Sequence, residues 1–71
     1  MKAVKSEMAG TMWEMKVKVG DKVKAGQELA IMESMKMEVP LVSPVAGTVS
    51  KILKLKDDFV NEGETVFEIS E

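Results

Sequence analysis

The chain contains no cysteine, no histidine and no arginine. Without cysteine there is no disulfide framework, no thiolate nucleophile and no thiolate metal site. Without histidine the commonest general base and the commonest metal ligand are both missing. Hydrolytic chemistry would have to run on carboxylates and lysines alone, in 71 residues with little room for a cleft. That argues against an enzyme and against a metal centre. All ten basic residues are lysines, and the net charge is −2. Phosphate contacts need a basic excess, and bidentate base contacts use arginine, so no nucleic-acid partner is expected. No apolar run is long enough to span a bilayer, and no membrane partner is expected. Met1–Lys5 lacks the apolar run of a signal peptide. The expected location is cytoplasmic, which the missing cysteines permit.

What is present is a core's worth of apolar residues and an internal repeat. The hydrophobic fraction is 45%. The length indicates a single domain over 1–71, near the lower limit of independent stability. Sliding the sequence against itself by 37 positions places Ala9-Gly10-Thr11 on Ala46-Gly47-Thr48. The same offset pairs Ser6 with Ser43, Asp21 with Asp58, Val23 with Val60 and Gly26 with Gly63. Met12 falls on Val49, Met15 on Ile52, Leu29 on Val66 and Met32 on Ile69. Residues 1–34 map onto 38–71 without a gap, and only Met35, Lys36 and Met37 have no partner. Half-repeats this short cannot each bury a core, so they are expected to interlock about a pseudo-twofold axis. The unmatched seam is then a unique point on a quasi-symmetric object.

The local signals are β. Thr11 to Val19 alternates apolar with polar from Glu14 onward, and Thr48 to Lys56 repeats it; both predict long strands. Gly20-Asp21, Ala25-Gly26-Gln27, Ala46-Gly47, Asp57-Asp58 and Glu62-Gly63 supply turn chemistry. Leu29 to Met32, Met37 to Ser43 and Thr65 to Ile69 predict further extended runs. Both alternation sets of Leu29-Ala30-Ile31-Met32 are apolar, so the pattern leaves its inward residues open. Pro40 predicts an edge strand or a bulge. A helix over Met32 to Glu38 is rejected, because Val39-Pro40 would end it almost at once. Short strands at this turn spacing predict an all-β sandwich or flattened barrel. Trp13 has the size of a core anchor but suits an interface equally. Lys16, Lys18, Lys22 and Lys24 read as a solvated strand face.

The seam reads Glu33-Ser34-Met35-Lys36-Met37-Glu38. With Gly20-Asp21-Lys22-Val23 and Gly26 before it, and Pro44-Val45-Ala46-Gly47-Thr48-Val49 after it, the chain resembles the biotinyl domains of biotin-dependent carboxylases and decarboxylases. The resemblance covers nearly the whole chain. It implies a flattened β-barrel of two four-stranded sheets, with Lys36 at a hairpin tip as the covalent attachment site. Met35 and Met37 would be flanking recognition residues. It implies biotin as cofactor, a biotin protein ligase as modifying partner, and biotin carboxylase and carboxyltransferase components between which a carboxyl group is carried. The chain also resembles free-standing biotin/lipoyl attachment proteins, since it starts at Met1 and shows no Pro/Ala-rich linker. One departure concerns Ser34, where biotinyl domains usually have alanine. Glu33-Ser34 is lipoyl-like, while Met35-Lys36-Met37 is biotinyl-like. Lipoate and a lipoyl ligase therefore stand as the alternative cofactor and partner, and an unmodified interaction module as a third reading. Glu33 and Glu38 bracket the lysine as partner contacts or as solubilising charge.

Overall fold

The computed structural model describes residues 1–71 and contains strands but no helix. No element is therefore a helix long and apolar enough to cross a membrane. The strands are β1 (Lys2–Lys5), β2 (Gly10–Met15), β3 (Lys22–Val23), β4 (Glu28–Ser34), β5 (Met37–Val42), β6 (Gly47–Ile52), β7 (Phe59–Val60) and β8 (Thr65–Ser70). They form two antiparallel four-stranded sheets, ordered β1-β8-β6-β3 and β5-β4-β2-β7. The sheets face each other as a flattened barrel-sandwich, 32 Å long and 17 Å across.

Adding 37 to the residue numbers of β2 and β3 gives β6 and β7, and adding it to β1 and β4 gives 39–42 and 65–71, which differ from β5 and β8 only at their ends nearest Lys36 and the C-terminus. The operation carries one sheet onto the other, and the pairing register follows it. Val4 pairs with Phe67, and Leu41 pairs with Ala30. Met12 pairs with Met32, and Val49 pairs with Ile69. Lys22 pairs with Thr48, and Phe59 pairs with Thr11. Even the bulges correspond, falling between Met12 and Glu14 in one sheet and between Val49 and Lys51 in the other. Twelve apolar side chains from both sheets make the core, with Phe67, Met12, Leu29, Met32 and Ile69 the largest.

The two long strands predicted from alternation are shorter in the structure. β2 stops at Met15 and β6 at Ile52. The physical reason is turn capture. The Asp21 carboxylate accepts the Lys18 backbone N–H at 3.0 Å, and the Asp58 carboxylate accepts that of Leu55 at 2.8 Å. These side chains offer the backbone a partner other than the ladder. Gly20 and its counterpart Asp57 sit in the left-handed region, at φ 98° and 75°. The turn expected at Ala46-Gly47 ends one residue sooner, since Gly47 already opens β6. Neither β1 nor the two-residue strands β3 and β7 stand out in local alternation. β1, for which the sequence pattern predicts no strand, is the repeat counterpart of Val39–Val42.

A bulge between Glu28 and Ala30 explains why Leu29 to Met32 resisted alternation. It turns both Leu29 and Ala30 inward, so Leu29, Ala30 and Met32 are buried and Ile31 is half-buried. Pro40 lies on β5, an edge strand, where its missing N–H costs no interior ladder bond. Trp13 is no core anchor: it is 49% exposed at the β2 bulge.

Candidate functional site

β4 and β5 form one hairpin, and their register runs Met32↔Val39, Glu33↔Glu38, Ser34↔Met37. Two residues remain for the turn, Met35 and Lys36, with φ of 49° and 66°. Positive φ at both central positions is the mirror-image turn that matches strand twist, and Asn-Gly is its preferred filling. Met35 and Lys36 hold it against the steric cost of a Cβ in the left-handed region, about 1–2 kcal/mol per residue. Strain of this kind is kept where the surrounding structure over-determines it.

The surroundings do so here. The hydroxyl of Ser34 donates to the carbonyl of Ala9 at 2.8 Å, tying the hairpin to the loop before β2. Gly10 follows directly. A Cβ there would stand 2.6 Å from the Glu33 carbonyl oxygen and 3.2 Å from the Ser34 Cβ. Only a hydrogen permits this approach, so β2 braces the hairpin up to its last pair. Ala9 and Gly10 were legible as repeat residues, yet their bracing role needed the fold.

Lys36 is exposed, and no carboxylate lies within ion-pair distance of it; the ion pairs are Lys16–Glu28 and Lys54–Glu64. Met35 is 92% exposed and Met37 65%. An exposed methionine on each side of a free amine gives a partner protein an adaptable apolar surface around one reactive nitrogen. Glu33 and Glu38 face each other across the hairpin, both exposed. Like charges directly opposite destabilise a ladder slightly, so the pair is not explained by stability. Ser34 is half-buried by its bond to Ala9. The structure thus brings Glu33, Ser34, Met35, Lys36 and Met37 to one end of the molecule. No group of three carboxylates converges to hold a metal ion.

The chain ends occupy the place in their sheet that the tip occupies in the other. Lys2 pairs with Ile69 as Val39 pairs with Met32. Residues 43–46 span from Val42, the end of β5 far from the tip, to Gly47, which abuts Ser70. The termini and Lys36 therefore lie at opposite ends of the long axis.

Residues 2–69 match the family model described as "Biotin-requiring enzyme". The chain belongs to this family. As a family member it is 49% identical over 67 residues to the biotin/lipoyl attachment protein of Bacillus subtilis, covering 94% of this chain and 92% of that protein. It is 44% identical over 57 residues to the dihydrolipoyllysine-residue acetyltransferase component of the pyruvate dehydrogenase complex of Acholeplasma laidlawii, covering 80% of this chain and 10% of that one. Among solved structures it superposes on Kluyveromyces lactis urea carboxylase with a TM-score of 0.92 at 36% identity, covering 97% of this chain and 6% of the carboxylase. The flattened barrel expected from the sequence is thus the architecture of the family.

Proposed function

We propose that this family member is a carrier in which the Lys36 amine bears biotin through an amide bond. The observation that carries the reading is the placement of Lys36: exposed, without an ion-pair partner, at the tip of a braced two-residue turn, between two exposed methionines. The residues fit the group. Biotin attaches through a carboxylic acid, and an accessible primary amine is what an activated acid acylates. A free lysine has a pKa near ~10.4, so little of it is neutral at physiological pH. The biotin protein ligase therefore supplies the activated acid, the deprotonation and the alignment. The braced tip supplies a rigid base for a mobile side chain. Biotin, when bound, supplies the atom that takes up and gives back a carboxyl group. The tether raises its local concentration at partner sites to the order of mM where the geometry permits. Biotin carboxylase and carboxyltransferase components are the partners this reading implies, and Met35, Met37, Glu33 and Ser34 are the contacts they and the ligase would meet.

Lipoate is the second reading, and two observations favour it. Ser34 precedes the tip where biotinyl domains usually have alanine. The relatives include both an attachment protein named for the two cofactors and an acetyltransferase component named for a dihydrolipoyllysine residue.

Intact mass of the chain produced in a cell with both ligases tests the readings. The expected result is a mass increase equal to biotin in amide linkage, absent from Lys36→Arg, with identical far-UV circular dichroism for the two proteins. Arginine keeps the charge but has no acylable primary amine. Biotin on Lys36→Arg at the wild-type level would overturn the site. An unmodified wild type would overturn the carrier reading.

A further inference from the structure

The pseudo-twofold that holds inside the molecule is broken on its outside. Residues directly opposite in an antiparallel ladder share a face. On the outer face of the tip-bearing sheet, one row is Phe59–Thr11–Glu33–Glu38, the next is Glu14–Ile31–Pro40, and the third pairs Glu28 with Val42. The corresponding rows of the other sheet are Lys22–Thr48–Ser70, Lys51–Glu68–Ala3 and Thr65–Lys5. In these rows the first face carries four carboxylates, of which Glu28 is paired with Lys16 from just beyond β2 at 3.2 Å, and no lysine of its own; the second carries three lysines and one carboxylate.

The apolar residues divide the same way. Phe59, 57% exposed, stands where the other sheet has Lys22. Val42, 44% exposed, stands where it has Lys5. Half-exposed Trp13 stands where it has Ser50, whose hydroxyl is absorbed by the Glu68 carbonyl at 3.0 Å. The core does not ask for this difference, because the same backbone register supports both sets. Exposed aromatic side chains beside carboxylates without ion-pair partners (Glu14, Glu33 and Glu38) fit a protein surface that is apolar at its centre and basic at its rim.

We propose that the outer face of the β5-β4-β2-β7 sheet is the docking surface for the ligase that modifies Lys36, whose complementary surface beside its catalytic mouth is basic and apolar. The opposite sheet takes no part in that encounter. The inference rests on the carrier reading, because it names the face through which that lysine is presented. Glu14 and Phe59 lie outside the hairpin that holds Lys36, so the contact extends well beyond the motif around the lysine.

The pseudo-symmetry supplies its own controls. Glu14→Lys with Phe59→Lys places on this sheet the residues that the other sheet already accommodates. Lys51→Glu with Lys22→Phe makes the reciprocal change. Each double variant of the full chain, folded as judged by circular dichroism, is biotinylated in vitro by a biotin protein ligase, with the rate read by intact mass at two salt concentrations. The expected result is a loss in kcat/KM of about tenfold for Glu14→Lys/Phe59→Lys, with a flatter salt dependence than wild type. The reciprocal variant is expected to stay within about twofold of wild type. Equal rates for both variants would overturn the proposal. So would effects of equal size and opposite sign, which would reflect net charge rather than a face. A wild type that takes no biotin would instead overturn the carrier reading, so the two failures are distinguishable.

Discussion

Ser34 and Ala9 meet across 25 positions of sequence, the serine hydroxyl donating to the alanine carbonyl at 2.8 Å beside the turn that presents Lys36. The residue that makes the motif look lipoyl-like therefore has a structural task on this chain: it anchors the end of β4.

Ser34→Ala removes that bond and leaves the Ala9 carbonyl to solvent. A hydrogen bond contributes about 0.5–1.5 kcal/mol, and for this exposed one a loss of about 0.5 kcal/mol is expected in urea unfolding. Faster amide exchange at Met35 to Met37 with slower biotinylation is also expected, because a looser tip is presented less often in one geometry. Unchanged stability and exchange would mean the bond is not maintained in solution.

Gly10→Ala tests the brace from the other side. Its Cβ would meet the Glu33 carbonyl oxygen at 2.6 Å, a backbone atom that cannot swing away. A cost of about 1–3 kcal/mol is expected, as for overpacking elsewhere. Gly47→Ala, whose Cβ would meet the Ser70 carbonyl oxygen, should cost a similar amount while leaving the tip undisturbed. Urea midpoints measure both costs, and biotinylation rates separate the pair.

Met35→Asp restores the lipoyl pattern before the lysine. Met35 has φ 49°, and aspartate tolerates the left-handed region better than methionine does. The variant should therefore be as stable as wild type, or more stable by up to about 1 kcal/mol. In competition between a biotin ligase and a lipoyl ligase, mass analysis should show modification moving toward lipoate. A ten- to thousandfold change in preference needs only about 1.4–4 kcal/mol, within reach of one or two contacts. A wild type that takes only biotin, with no lipoate on the variant, would eliminate dual specificity.

Glu64 gives a pH prediction. The Asn61 backbone N–H donates to its carboxylate at 2.7 Å and holds its pKa below the ordinary 4.5, with the Lys54 ammonium at 3.4 Å and the Asn61 side chain assisting against partial desolvation. A carboxylate depressed in the folded state contributes stability above its unfolded pKa, and that contribution is lost as pH falls through the folded one. Glu64→Gln removes this dependence while keeping the acceptor. The fold already uses that chemistry at the equivalent position, where Gln27 accepts the Lys24 N–H at 2.9 Å. Thermal melts of the two proteins should differ less at acid pH than at neutral pH.

Much of the architecture was legible because it is written twice. The gapless offset of 37 residues carries the register of both sheets, since the same spacing of turn formers closes the same loops in each half. It also isolates Met35-Lys36-Met37 as the only residues without a counterpart. Local alternation was a poorer guide. It extended β2 through Val19, because Lys16 to Val19 keeps the strand period while Asp21 draws the backbone into a turn. It was silent at Leu29-Ala30, because a bulge aims consecutive residues inward.

By itself, then, the sequence determined the β architecture, its internal symmetry and the one lysine that breaks it, because spacing and turn chemistry are local properties that survive in one dimension. Tertiary structure decided what surrounds that lysine. Gly10 approaches Glu33, Ser34 reaches Ala9, Glu33 faces Glu38, and Phe59 joins their row only when distant strands are set side by side. The contrast between the two outer faces is likewise invisible along the chain. Acidic and basic residues are interspersed along the sequence, and only strand pairing gathers four glutamates into the outer rows of one sheet and three lysines into those of the other.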